Sequence, residues 1–132
     1  MFASNYGDLD GAHGSEFTDR IVNYSDEWEA LVDQAFAYWG EISGINFVKV
    51  EETATQCGDI RIGLQSSWAP DTEGPLGFSF ANAEYGSAAY DVWLIASLDP
   101  ESPDFSSTRE TPEFVLIHEI GHSLGLAHPH DG

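Results

Sequence analysis

The stretch that decides the fold is TPEFVLIHEIGHSLGLAHPHDG, residues 111–132. Thr111 has the form of a helix N-cap, Pro112 suits the first helical position, and Glu113 puts negative charge in the first turn. The pattern predicts a helix over 111–124, with Phe114, Ile117 and Leu124 on one face and Leu116 and Ile120 beside them. His118 and His122 stand four apart. Both imidazoles then lie on one face, one turn apart, where they can share a metal ion. Glu119 points away from those two ligand directions and can reach a metal-held water without being a ligand. Gly125 can take a left-handed conformation and end the helix abruptly. The chain can then turn back and bring His128 to the same point. Three nitrogen ligands leave one coordination position open, as in catalytic zinc sites, whereas structural sites are closed by four protein ligands. Chance assembly of His-Glu-x-x-His-x-x-Gly-x-x-His from this composition is roughly one in ten thousand. That rarity sets the metal reading above one of ordinary surface or capping histidines.

Upstream, Asp26 followed by Glu29 has the form of a capping box with Asp26 as the cap. Trp28, Leu31, Val32, Ala35, Phe36 and Trp39 recur as the apolar stripe of an amphipathic helix over 26–41, read as core packing. Gly40 and Gly44 mark its end. Strand-like runs follow at Ile45–Val50, Asp59–Gly63, Leu76–Ala81 and Tyr90–Ala96. Gly77 in the third suggests a bulge or an edge. The segments between are rich in Pro, Gly, Ser and Asp and read as loops. Residues 1–19 read as a loosely ordered arm, and 20–132 as one domain. Helix, strands, then helix predicts an α+β layer structure.

The 132 residues carry 42% hydrophobic side chains, including 4 Trp, 5 Tyr and 8 Phe, enough for a real core. Arg20, Lys49, Arg61 and Arg109 face 23 acidic residues, a formal charge of -19. Such a field makes nucleic acid and anionic membrane surfaces poor partners. Solubility, high salt or bound cations such as calcium explain it better. No stretch approaches the roughly 18 apolar residues of a membrane span, and the N-terminus lacks the pattern of a cleaved signal. Cys57, the one cysteine, reads as a small buried hydrophobe. His13 has no partner pattern. His130, in HPHD, reads as a loop residue, with a substitute ligand as the alternative.

HEIGHSLGLAH, residues 118–128, resembles the long signature of the metzincin metallopeptidases. Pro129, directly after the third histidine, resembles the serralysin branch. ALVDQAFAYWGEISGINFVKVEE and GDIRIG resemble the first helix and first two strands of serralysin and matrix-metalloproteinase catalytic domains. GPLGFSFA resembles their substrate-holding edge strand. The resemblance implies a zincin-like upper subdomain with a twisted, mostly parallel sheet and two long helices. It implies zinc on His118, His122 and His128, Glu119 as general base, and an extended peptide along Leu76, Gly77, Phe78, Ser79 and Phe80. The implied activity is zinc-dependent endopeptidase hydrolysis of protein substrates, with a secreted location and calcium as a further cation.

Metzincins carry a Met-turn subdomain after the third histidine, and in serralysins a nearby tyrosine is a further ligand. Here the one methionine is Met1. The chain therefore reads as the N-terminal part of a catalytic domain, truncated after the third histidine. The alternative is a non-catalytic zinc-binding fragment or pseudopeptidase. An acidic calcium-binding or adhesion module would need a repeated Asp/Gly pattern, which is not present.

Overall fold

Ser25 starts the first helix. In the computed structural model, which describes residues 21–22, 25–51, 58–65, 76–79, 90–101 and 111–129, helix α1 runs Asp26–Ser43. The Ser25 hydroxyl accepts from the Trp28 backbone N–H at 3.1 Å. The same residue is tied to the far side of the domain. Its N–H donates to Asp99 Oδ2 at 2.8 Å and its hydroxyl to Asp99 Oδ1 at 2.5 Å. Asp99 is buried and follows a short 3-10 turn, Ala96–Leu98. Ser25 thus caps the helix where Asp26 was expected to: Asp26 is already the first helical residue, and the Ser25 hydroxyl meets both the Trp28 N–H and Asp99.

The sheet contains β1 (Ile21–Val22), β2 (Ile62–Gln65), β3 (Gly77–Ser79) and β4 (Val92–Ile95), in the order β1-β2-β4-β3. The central β2–β4 pair is parallel; β1 runs antiparallel to β2, and β3 antiparallel to β4. Parallel pairing therefore lies at the centre of the described sheet, and both flanking strands reverse it. Ile62, Leu64, Val92 and Leu94 alternate inward and join Trp28, Ala35, Val115, Leu116 and Ile120 in one core. The second helix, α2 (Pro112–Ser123), packs across α1 and the sheet. Two helices on a mixed sheet give the expected α+β class.

A buried ion pair joins the starts of the two central strands. Arg61 donates through Nε and Nη2 to Asp91 Oδ2, at 3.0 and 2.8 Å, and through its backbone N–H to Oδ1 at 3.1 Å. The geometry satisfies both charges, as burial requires.

Four expectations shift. Ile45–Val50 belongs to no strand. Both edges of β2 are taken, by β1 and β4, so among the described strands β2 offers it no ladder. It lies along α1 instead: the Phe47 and Phe36 rings are 5.2 Å apart, and Lys49 pairs with Glu29 and Asp33. Hydrogen bonding to Lys49 holds the Glu29 carboxyl below the ordinary carboxylate range. The strand expected over Asp59–Gly63 begins later, at Ile62, and the one over Tyr90–Ala96 contracts to Val92–Ile95. Phe114, placed on an apolar face, is 54% exposed, and the buried side of α2 runs through Val115, Leu116, Glu119, Ile120 and Ser123. The arm at 1–19, with His13, and Cys57, Phe80, Ala81 and His130 lie outside the described residues.

The Ser25–Asp99 link generates a stability prediction. Ser25→Ala removes the cap and the hydroxyl's hydrogen bond to a buried carboxylate while keeping the backbone one, and should lower the unfolding free energy by about 2 kcal/mol in urea denaturation. An unchanged midpoint and slope would mean that the Ser25 hydroxyl does not hold the helix start.

Candidate metal centre

Helix α2 begins as its sequence implies. Thr111 Oγ1 accepts from the Phe114 N–H at 3.3 Å, and Pro112 occupies the first turn, where a missing N–H costs nothing. The helix stops in two residues. Gly125 takes φ +97°, its N–H donates to the His122 carbonyl at 2.9 Å, and the Leu126 N–H donates to the Gly121 carbonyl at 3.0 Å. This pair of bonds is the Schellman arrangement, which satisfies the last helical carbonyls and reverses the chain. A side chain at Gly125 would be strained at that φ.

The reversal brings the three histidines together. Their Nε2 atoms form a near-equilateral triangle: His118 to His122 3.0 Å, His118 to His128 3.1 Å and His122 to His128 3.1 Å. The His122 ring stands at 87° and 88° to the other two, which are tilted by 34° to one another. A tetrahedral zinc ion with nitrogen bonds of about 2.0–2.1 Å sets its nitrogens about 3.3–3.4 Å apart. The observed triangle falls within about 0.3 Å of that spacing. The donor chemistry agrees. His122 Nδ1 lies 2.7 Å from the Leu126 carbonyl oxygen. A carbonyl only accepts, so Nδ1 carries the hydrogen, and Nε2 of the neutral ring presents its lone pair to the centre of the triangle. The triad fits a zinc site. Among the described residues it is the one group of metal-ligating side chains so arranged.

Glu119 is 8% exposed and is not among the converging ligand atoms. Its side chain runs against β3. A Cβ built on Gly77 would lie 3.0 Å from Glu119 Cγ and 3.1 Å from the Trp93 carbonyl oxygen. The absent side chain therefore lets the sheet close directly on the glutamate. β3 is an edge strand, as Gly77 suggested. It pairs with β4 through Gly77–Leu94, Phe78–Trp93 and Ser79–Val92, and the Ile95 N–H donates to the Leu76 carbonyl at 3.0 Å. Its other edge meets no strand among the described residues.

His118 and His122 are half-buried and His128 is exposed. Phe114 and Leu126 both stand exposed in the segment that carries the triad, the Phe114 ring 6.1 Å from that of His118. Sequence reasoning missed three neighbours of the site: the Leu126 carbonyl, the Gly77–Glu119 contact, and Trp39 beneath α2. Only Gly121, a helix-weakening residue between two of the histidines, signalled that something packs closely there.

A family model described as Matrixin matches residues 14–132. Metalloendoproteinase 2-MMP of Arabidopsis thaliana is 30% identical over 112 residues, covering 79% of this chain and 29% of the relative. Matrix metalloproteinase-25 of Homo sapiens is 30% identical over 110 residues, 74% of this chain and 18% of the relative. Metalloendoproteinase 1 of Glycine max is 32% identical over 114 residues, 80% of this chain and 36% of the relative. No solved structure matches the chain significantly. The chain thus spans about a third or less of the length of these relatives, but the matched span contains the histidine triad, Glu119 and the edge strand, and the chain belongs to the matrixin family.

Proposed function

We propose that residues 20–132 form the zinc-binding part of a metalloendopeptidase catalytic domain that hydrolyses peptide bonds in protein substrates. The observation that carries this reading is the juxtaposition of three converging Nε2 atoms, a buried glutamate that is not a ligand, and an edge strand packed on that glutamate. Matrixins use catalytic zinc, and calcium besides.

His118, His122 and His128 would hold the zinc. When bound, zinc supplies Lewis acidity, which polarises a scissile carbonyl and acidifies water at neutral pH. The rest falls to the chain. The Glu119 carboxylate accepts the proton of the attacking water and returns it to the leaving amine nitrogen. The His122–Leu126 hydrogen bond fixes one ligand's tautomer and ring orientation. The backbone of Leu76, Gly77, Phe78 and Ser79 aligns an extended substrate by strand addition. Main-chain hydrogen bonds are blind to side chains, so specificity from this edge is broad.

A serralysin-like placement within the family rests on Pro129 directly after His128. A secreted location is supported by the homologous matrixins, which are secreted or extracellular. No helix among the described residues is long and apolar enough to cross a membrane. The acidic excess suits calcium as a second cation.

Two substitutions separate binding from chemistry. Glu119→Gln should leave zinc content unchanged and lower peptide hydrolysis by about 10²–10⁴-fold. Wild-type turnover in that variant would remove Glu119 from the proton-transfer role. His122→Ala should weaken zinc binding by more than the roughly 10–100-fold typical of changes outside the ligand set. Equal affinity in a chelator competition would mean the metal is held elsewhere.

A further inference from the structure

We infer that Trp39 is a positioning residue for the histidine triad: its indole clamps α2 at the residues directly before His118 and His122. The inference rests on the zinc site proposed above and extends it to α1.

Two contacts make the clamp. Trp39 Nε1 donates to the Ile117 carbonyl at 2.9 Å. That carbonyl immediately precedes His118, and its second lone pair can serve the indole without breaking the helical ladder. The ring then lies against Gly121, which immediately precedes His122. A Cβ built on Gly121 would sit 2.9 Å from Trp39 Cζ2, 3.4 Å from Cη2 and 3.7 Å from Leu126 Cδ1. No side chain fits between the helix and the indole.

Glycine inside a helix weakens it, and Gly121 sits between the two ligands of the last turn. The same residue's carbonyl accepts the Leu126 N–H that reverses the chain toward His128. The turn that sets the geometry of all three ligands is therefore intrinsically loose. Trp39 supplies from α1 what that turn lacks: a hydrogen bond at its start and a flat surface against its bare backbone. A residue serving only as core packing would contribute to stability alone. A clamp also sets metal affinity and ligand geometry.

The test compares zinc affinity, by competition with a chromophoric chelator, and the visible spectrum of the cobalt-substituted protein. Trp39→Phe keeps a ring and deletes the donor. It should lower zinc affinity by about tenfold and alter the cobalt bands. Ser25→Ala, which loosens the opposite end of α1 without touching α2, should keep wild-type zinc affinity. Gly121→Ala should weaken zinc as Trp39→Phe does, and the double variant should be no worse than the weaker single, because both remove one contact. The clamp is overturned by Trp39→Phe within twofold of wild type and with unchanged cobalt bands. It is equally overturned if Ser25→Ala loses as much affinity as Trp39→Phe, since the effect would then be general loosening. Should Trp39→Phe fail to fold, Gly121→Ala alone decides, and wild-type affinity there rejects the clamp. Wild-type protein that binds zinc alongside unaffected variants defeats only this inference. A wild-type chain that takes up no zinc defeats the site reading and this inference together.

Discussion

The structure depends on one backbone event, the reversal of the chain at Gly125. A helix can hold two imidazoles on one face, but it cannot supply a third from a direction that closes a triangle. Gly125 at φ +97°, with the paired bonds from its own N–H and that of Leu126, converts a helix end into the third side of the site. The reversal also delivers the Leu126 carbonyl to His122 Nδ1 at 2.7 Å. A single turn thus sets both the tautomer of His122 and the position of His128.

Some contacts beneath that turn bear on α2 directly, and others fix only the elements around it. Leu116 and Ile120 are fully buried against the sheet. Trp39 reaches α2 from the other helix, and Asp99 anchors the start of that helix through Ser25. The buried Arg61–Asp91 pair fixes the starts of the two central strands. A pair so buried adds little net stability, because desolvation offsets the attraction, yet losing one partner strands a charge in the core. Its effect is to fix the register of β2 on β4, and through β4 that of the edge strand against Glu119.

The metal centre was legible in the sequence because its parts are local. Helical spacing alone places His118 beside His122, and glycine alone permits the left-handed turn. The cap at Thr111 and the end of α2 were legible for the same reason. What escaped were the features set by distant partners. Ser25 rather than Asp26 caps α1 because Asp99, 74 residues away, selects it. Ile45–Val50 has a strand's composition but no described sheet edge to join, since β1 holds that side of β2. Phe114 follows the apolar pattern, yet it lies on the histidine face of α2 and stays exposed. Trp39 belonged to a core stripe by periodicity, and no periodicity reports where an indole N–H finds its acceptor.

The most direct test of the metal centre is zinc K-edge absorption on the purified chain after dialysis against a weak chelator, with the zinc-to-protein ratio measured on the same sample. One zinc per folded chain is expected, coordinated by three imidazole nitrogens at about 2.0–2.1 Å with a further light-atom ligand. A folded chain without zinc, or zinc with fewer than three imidazoles in its shell, would contradict it.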